Sequence, residues 1–283
     1  MILFPGSKIK LGLHVLRRRA DGYHDISTLM IPIGWSDVLE IVPAAGTATT
    51  LTLYGPHGTG LSNGEDNLVL KALRALEDAI SAALPPIDIY LSKNVPTGAG
   101  LGGGSADAAA LIVGVNELFS LGLSDDALAA VAVKVGADCP FFIYNRPMLA
   151  EGIGEVLTPV ELPLNGRYVL VVKADEGVST REAYAGVHRR ERDPHERLSA
   201  DAVARFDKDI LVNDFEASVF AQRPAIAALK ELLAGTGALY TSMSGSGASV
   251  FAIYDSDKMA DNARQLVLAS RPGADIYCGR LDC

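Results

Sequence analysis

The sequence predicts an α+β protein of two domains. Residues 9–54 carry the period-two apolar pattern of strands, residues 67–80 change to the period of helices, and short strands alternate with helices from residue 168 onward. The chain has 283 residues, of which 49% are hydrophobic, so it is long enough to bury a core in each domain.

In the first half, the strand pattern gives way to a helix near Asn67. Asp66 is predicted to cap this helix, and the Pro85-Pro86 pair is expected to end it. Residues 87–91 alternate apolar and polar side chains, which indicates a strand with one solvated face. The predicted elements of this half are strands at residues 9–16, 37–42, 49–54 and 87–91, helices at residues 67–80, 105–119 and 124–134, and a short buried strand at residues 141–144.

A domain boundary is predicted in residues 152–166, where glycine and proline recur and periodicity is lost. This divides the chain into domains 1–155 and 156–283, and the second has the strand and helix pattern of a ferredoxin-like α+β sandwich. The charged run at residues 188–197 is interpreted as a solvated surface segment. The predicted elements here are strands at residues 168–173, 239–243, 249–254 and 276–281, and helices at residues 180–187, 224–233 and 257–269.

Composition excludes several classes of function. The 25 basic and 34 acidic residues give a net charge of −9, which makes nucleic acid an unlikely partner because its binding needs cations on the protein. The three cysteines form no CxxC pair, which argues against a disulfide framework or a zinc knuckle. No apolar run reaches the length of a membrane span and no signal-like segment is found, so we expect a cytoplasmic protein with no membrane partner.

A glycine-rich loop, PTGAGLGGGSADAAA at residues 96–110, lies between a predicted strand and a predicted helix. Its glycines permit positive φ and close backbone approach, and the N–H groups at the start of the following helix favour an anion. We therefore predict a polyphosphate site here rather than a flexible turn. The loop residues assigned to it are Pro96, Gly98, Gly100, Leu101, Gly102, Gly103, Gly104, Ser105 and Ala106.

Two common phosphate sites do not fit this loop. A P-loop requires a Gly-Lys dipeptide, and the chain contains none. The spacing of Gly98, Gly100 and Gly103 matches the dinucleotide pattern, but a Rossmann site needs an acidic residue at the end of a second strand. Asp125 and Asp126, the acids at that distance, lie at a predicted helix start instead.

The loop resembles the ATP-binding loop of the GHMP kinases. Two further segments match in order and spacing: PGSKIKLGLHV, which contains Lys8, and SGSGASVFAIY at residues 244–254. The DGYH element at residues 21–24 and GADCPFF at residues 136–142 are similar to members that act on a cytidyl-linked sugar alcohol. The resemblance implies the GHMP kinase two-domain fold, with a ribosomal-protein-S5-domain-2-like N-terminal domain and a ferredoxin-like C-terminal domain.

This resemblance implies transfer of a phosphoryl group from ATP, with Mg²⁺, to the 2-hydroxyl of a small substrate that carries a cytidine diphosphate group. That step belongs to non-mevalonate isoprenoid precursor biosynthesis. Asp138 would be the catalytic base and Lys8 the cation beside it. From the residues alone, Asp138 could equally be a turn or cap residue after Gly136, and Lys8 a solvated strand residue.

The resemblance also implies which residues hold the ligands. Tyr23 would stack on the cytosine, His24 would bond to its edge, and Tyr184 would supply a second aromatic surface. Asn67 and Lys93 lie where the family contacts ATP. The C-terminal glycine motif adds Gly245, Ser246 and Gly247 to the substrate site.

One departure from the family pattern concerns Lys10. The family usually has Asn two residues after the catalytic lysine, and here the segment is SKIK, with Ser7 in place of alanine. Because side chains alternate along a strand, Lys8 and Lys10 should face the same side. Lys10 could add a cation near the phosphates, or its long stem could reach solvent.

Two other functions remain open on the sequence. A GHMP kinase for another small alcohol, such as homoserine, would not need the DGYH element or Tyr184. A catalytically silent nucleotide-binding relative would not need both Lys8 and Asp138. The sequence assigns neither an oligomeric state nor metal ligands.

Overall fold

The computed structural model describes residues 1–187 and 196–282, so most of the charged run at residues 188–197 lies outside the described residues. The chain forms two compact units, and the segments of the two units alternate along the sequence. Unit 1 consists of Met1–Ser7, Trp35–Thr97 and Gly102–Asn145, and unit 2 of Lys8–Gly34, Gly98–Leu101 and Arg146–Cys283. The division into domains 1–155 and 156–283 remains a prediction.

The elements are named in chain order. The strands are β1 (Ile2–Leu3), β2 (Ser7–Arg18), β3 (His24–Ile33), β4 (Val38–Pro43), β5 (Thr50–Tyr54), β6 (Ile87–Ser92), β7 (Met148–Gly152), β8 (Val156–Pro159), β9 (Tyr168–Lys173), β10 (Tyr240–Met243), β11 (Ser249–Tyr254) and β12 (Ile276–Arg280). The helices are α1 (Leu68–Ile80), α2 (Gly103–Leu118), α3 (Asp125–Ala132), α4 (Cys139–Tyr144), α5 (Thr180–Ala185), α6 (Ala200–Ala204), α7 (Glu216–Gln222), α8 (Pro224–Ala234) and α9 (Asp257–Ser270).

Unit 1 contains one four-stranded sheet in the order β1-β4-β6-β5, in which β5 runs parallel to β6 and the other pairs are antiparallel. The buried side chains of β6 alternate as predicted for residues 87–91. They pack with apolar residues of α1, α2 and α3 in one core. The helix predicted at residues 105–119 begins two residues earlier, because Gly103 and Gly104 already have helical geometry.

Two predictions for unit 1 were wrong. The cap of α1 is Asn67 rather than Asp66: the Asn67 Oδ1 atom accepts the Val69 N–H at 2.9 Å, whereas Asp66 accepts the Ser62 hydroxyl. Residues 141–144 belong to helix α4 and not to a strand. A run this short carries too few residues for its period to decide, and a proline in the first turn is typical of a helix start.

Unit 2 contains two four-stranded sheets, in the orders β2-β3-β7-β8 and β10-β11-β9-β12. The second sheet is antiparallel throughout, and α8 and α9 pack against it, which agrees with the predicted α+β sandwich. Its core includes β2 residues such as Leu13 and Val15. The strands β3, β7 and β8 and the helices α6 and α7 were not predicted from the sequence.

The helices in the described part of the chain do not include one with the length and apolar character of a membrane span.

Candidate functional site

The first part of the glycine loop, residues 98–101, belongs to unit 2 and lies against the loop that precedes β11. Gly98 and Gly100 have φ values of +62° and +76°, a region that favours glycine. A Cβ on Gly100 would collide with the backbone carbonyl oxygen of Ser244. The Ser244 hydroxyl donates to the Gly100 carbonyl at 2.9 Å, and the Ser249 N–H donates to the Ala99 carbonyl at 3.1 Å. Two backbone segments therefore touch where Gly100 has no room for a side chain.

Lys8, near the start of β2, holds the same loop segment. Its backbone N–H donates to the Leu101 carbonyl at 2.9 Å, and its Nζ atom donates to the Gly100 carbonyl at 2.5 Å. The residue is only 2% exposed. The alternative of a solvated strand residue is therefore wrong for Lys8, and an ammonium is fixed beside the glycine loop.

Lys10 lies on the same face of β2, as the strand period predicts. It is 8% exposed, so its stem does not run out to solvent. Its backbone N–H donates to the Ser244 hydroxyl at 3.3 Å. A Cβ on Gly245 would stand 3.7 Å from Lys8 Nζ and 3.7 Å from Lys10 Cδ, so both lysine side chains pass close to the 244–247 loop.

Asn213 anchors that loop, although the sequence analysis did not single it out as a site residue. Its Nδ2 donates to the carbonyls of Met243 and Gly245, each at 2.8 Å, and its Oδ1 accepts the Phe215 N–H at 3.0 Å. The residue also forms a bridge with Leu13 of β2. An amide side chain suits this position because it donates and accepts at once.

The aromatic residues predicted for the base lie together in unit 2. The His24 and Tyr184 rings stack with centroids 4.6 Å apart and planes 13° from parallel, and Tyr184 meets Phe215 edge-on at 4.8 Å. Tyr23 is 62% exposed. Burial lowers the pKa of His24 below its ordinary value, and the nearby Arg18 lowers it further. Its neutral imidazole therefore offers one donor and one acceptor.

The second part of the glycine loop begins α2 in unit 1. Gly102 occupies the cap position with φ at +72°, and no described side chain caps the helix. The helical hydrogen-bond ladder starts with the Ala106 N–H, which donates to the Gly102 carbonyl at 2.9 Å. The N–H groups of residues 103–105 precede that ladder and point out of the helix end, where they suit an anion.

Asp138 lies at the start of helix α4 in unit 1. It is the residue before α4, and its side chain makes no capping bond to that helix. The next residue, Cys139, is hydrogen-bonded to Ser105 in the first turn of α2, and burial raises the pKa of its thiol to about 11. Because α2 and α4 pack together, Asp138 lies beside the start of α2. Asp138 therefore occupies the turn and cap position that the residues alone allowed, and its role as the catalytic base remains a prediction.

Comparison with known proteins agrees with this arrangement. The family model for the GHMP kinase N-terminal domain matches residues 67–146, and the model for the GHMP kinase C-terminal domain matches residues 196–269. The chain belongs to the GHMP kinase family. The 4-diphosphocytidyl-2-C-methyl-D-erythritol kinase of Bacteroides thetaiotaomicron is 45% identical over 90% of this chain and 92% of its own length. The enzyme of that name from Porphyromonas gingivalis is 43% identical over 93% and 95%.

Solved structures of GHMP kinases share the fold. A crystal structure of 4-(cytidine 5'-diphospho)-2C-methyl-D-erythritol kinase has a TM-score of 0.80 and 29% identity, with complete coverage of both chains. A homoserine kinase from Cytophaga hutchinsonii has a TM-score of 0.72 at 18% identity and covers 98% of this chain and 94% of its own. The second likeness shows the fold alone.

Asn67 and Lys93, which are predicted to contact ATP, are both held by hydrogen bonds within unit 1. Asn67 caps α1 through Oδ1, and its Nδ2 donates to the Ser62 carbonyl at 2.7 Å. Lys93 is 1% exposed and its Nζ is bound by the carboxylates of Asp37 and Asp107. Contacts of Asn67 and Lys93 with ATP therefore remain predictions.

The contact between Gly100 and Ser244 gives a prediction with a matched control. Gly98→Ala adds a Cβ at a positive φ with no neighbour within 4 Å, so its cost is the backbone penalty of roughly 1–2 kcal/mol. Gly100→Ala carries the same penalty and also drives a Cβ into the Ser244 carbonyl, which should add about 1–3 kcal/mol. Thermal and chemical unfolding of both variants measures the difference. Equal losses of stability would show that the close approach is not a constraint.

Proposed function

We propose that this chain transfers the γ-phosphoryl group of ATP to the 2-hydroxyl of 4-diphosphocytidyl-2-C-methyl-D-erythritol, in the cytoplasm, as a step of non-mevalonate isoprenoid precursor biosynthesis. The observation that carries the proposal is the identity of 43–45% with enzymes named for that substrate, over at least nine-tenths of the chain. The buried Lys8, the uncapped start of α2 and the ring pair of His24 and Tyr184 support it.

The phosphates of ATP would bind at the start of α2. The N–H groups of residues 103–105 donate to the phosphate oxygens, and the helix dipole favours the same negative charge. Phosphoryl transfer depends on positioning and charge neutralisation more than on covalent chemistry, which suits a site built from backbone.

Mg²⁺ fits the oxygen donors at this helix start. The described residues contain no group of three histidines, cysteines or carboxylates that could hold a metal ion. Mg²⁺ needs no such group, because it is usually held by one or two carboxylates together with substrate phosphates. The Ser105 hydroxyl, in the first turn of α2, is the group that would hold it here together with the phosphate oxygens. When bound, the ion neutralises charge on the phosphates.

Asp138 and Lys8 would carry the reaction. Asp138, at the start of α4, accepts the proton of the substrate hydroxyl through its carboxylate. Lys8 supplies positive charge, and its bond to the Gly100 carbonyl holds the ammonium in one place. Their predicted action as a pair remains part of this proposal.

The cytosine would bind at the aromatic residues of unit 2. Tyr23 offers an exposed ring for stacking, and the neutral His24 ring can donate and accept at the edge of the base. The 4.6 Å stack of His24 on Tyr184 leaves no gap for a base between these two rings. We therefore expect Tyr184 to hold His24 in orientation or to part from it when the base enters.

The first experiment compares substrates with the purified chain. ADP release from ATP and Mg²⁺ is followed with the cytidyl substrate, with homoserine and with mevalonate. Turnover that depends on the cytidyl substrate supports the proposal. Turnover with homoserine alone would favour the related kinase, and no turnover with any alcohol would favour a silent relative.

Asp138→Asn tests the catalytic base. The amide keeps the shape of the side chain but cannot accept the proton, so kcat should fall by roughly 10²- to 10⁴-fold while ATP binding changes little. Asp126→Asn is the control, because Asp126 is an exposed carboxylate of the same unit that bonds only to the Tyr144 hydroxyl in the described contacts. A near-normal kcat for Asp138→Asn would exclude this assignment.

Tyr184→Ala tests the aromatic site. Loss of a stacking ring worth about 1–3 kcal/mol should raise KM for the cytidyl substrate by roughly 5- to 150-fold. KM for ATP should stay the same. Tyr184→Phe keeps the ring and should retain the wild-type value. If the alanine variant binds the cytidyl substrate normally, Tyr184 serves only in packing.

Lys10→Asn tests the departure from the family pattern. If the Lys10 ammonium acts on a phosphate group, the variant should bind ATP or the cytidyl substrate more weakly, and that binding should depend less on salt. Lys258→Asn removes the same charge from the exposed face of α9 and is the control. Unchanged constants for Lys10→Asn at low and high salt would rule out a role for Lys10.

A further inference from the structure

A buried ion cluster lies beneath the start of α2 in unit 1. Lys93, which follows β6, donates from Nζ to Asp37 Oδ2 and to Asp107 Oδ2, the second at 2.6 Å. All three side chains are at most 2% exposed. Neither carboxylate is among the site residues predicted from the sequence, and the proposed reaction does not use them.

The cluster connects the end of β6 to the first turns of α2. Asp37 Oδ1 accepts the N–H groups of Asn94 at 2.5 Å and Val95 at 2.8 Å, which fixes the segment after the strand. A Cβ on Gly103, the first residue of α2, would lie 3.1 Å from Val95 Cγ1 and 3.5 Å from Asp37 Oδ2. The helix start therefore rests on the segment that Asp37 holds, and Asp107 ties the helix to Lys93 about one turn later.

The cluster joins one amino group to two carboxyl groups. Burial alone would lower the pKa of Lys93, but the carboxylates of Asp107 and Asp37 outweigh it and the net pKa is raised. Burial raises the pKa of Asp107 to about 7, and repulsion from Asp37 adds to the rise while Lys93 opposes it. Asp107 Oδ1 is buried and has no hydrogen-bond partner among the described residues.

Such a cluster is a poor source of stability. Taking charges out of water is costly, and replacing buried ion groups by apolar residues is often neutral or stabilising. An unpaired buried oxygen adds to that cost. The geometry is specific, however, because each contact fixes either the segment after β6 or the first turns of α2.

We propose that Asp107 is a positioning residue for phosphate binding, which acts through Lys93 to fix the first turn of α2. This inference rests on the proposed function, because it takes the N–H groups of residues 103–105 as the phosphate donors. When the Asp107 contact is lost, Lys93 pairs with Asp37 alone and the helix start is no longer tied to β6.

The test is Asp107→Asn, with Asp107→Leu as a second variant that leaves a neutral Lys93–Asp37 pair. We expect the Kd of a non-hydrolysable ATP analogue and the KM for ATP to rise by about tenfold or more, as for other groups that orient binding residues. The KM for the cytidyl substrate should stay the same. Leu111→Ala is the control, because Leu111 is a fully buried core residue one turn further along α2.

The control separates positioning from loss of stability. Leu111→Ala should lower stability by about 2–5 kcal/mol and leave the analogue Kd within about twofold. Wild-type analogue affinity in both Asp107 variants would overturn the inference, and so would an equal loss of affinity in Leu111→Ala. Analogue binding is measured without turnover, so a wild-type chain that binds ATP but phosphorylates no alcohol would contradict the proposed function alone.

Discussion

The close approach of Gly100 to Ser244 is the contact on which the site in unit 2 depends. It brings the first part of the glycine loop against the loop before β11, and the Gly100 carbonyl then accepts both the Ser244 hydroxyl and the Lys8 ammonium. A side chain at Gly100 would separate the two loops and remove the acceptor that holds Lys8 in place. The absence of a side chain at Gly100 therefore fixes the position of the Lys8 ammonium as well as giving the backbone its freedom.

Burial explains why the lysines of the site need anions. An ammonium taken out of water is costly unless groups of opposite charge or dipole surround it. In unit 2 the Lys8 ammonium donates to the Gly100 carbonyl. The side chains of Lys8 and Lys10 both pass close to the 244–247 loop. In unit 1 the same requirement is met for Lys93 by two carboxylates. Lys93, enclosed by carboxylates, serves the structure, whereas Lys8 and Lys10 lie beside the loops that are proposed to bind the ligands.

The local patterns of the sequence predicted much of this arrangement, and long-range pairing accounts for what they missed. The alternation of residues 87–91 and the glycine loop before α2 depend on neighbours in the chain, so both were predicted. The six residues of α4 are too few for a period to decide between helix and strand. The contact of Lys93 with Asp37 spans 56 residues, and the bonds of Asn213 span about 30, so no period or spacing indicates them.

An acidic chain can still bind a polyphosphate, because binding depends on local rather than net charge. The chain carries a net charge of −9, yet Lys8 and Lys10 are held next to one glycine loop, and α2 leaves its first N–H groups uncapped. Asp138 likewise precedes a helix, α4, and its side chain makes no capping bond to that helix. Capping by a side chain would have stabilised either helix by about 1 kcal/mol. Neither helix start has that stabilisation in the described structure. N–H donors and a carboxylate, the groups found at these two helix starts, are the kinds of group that a phosphoryl transfer needs.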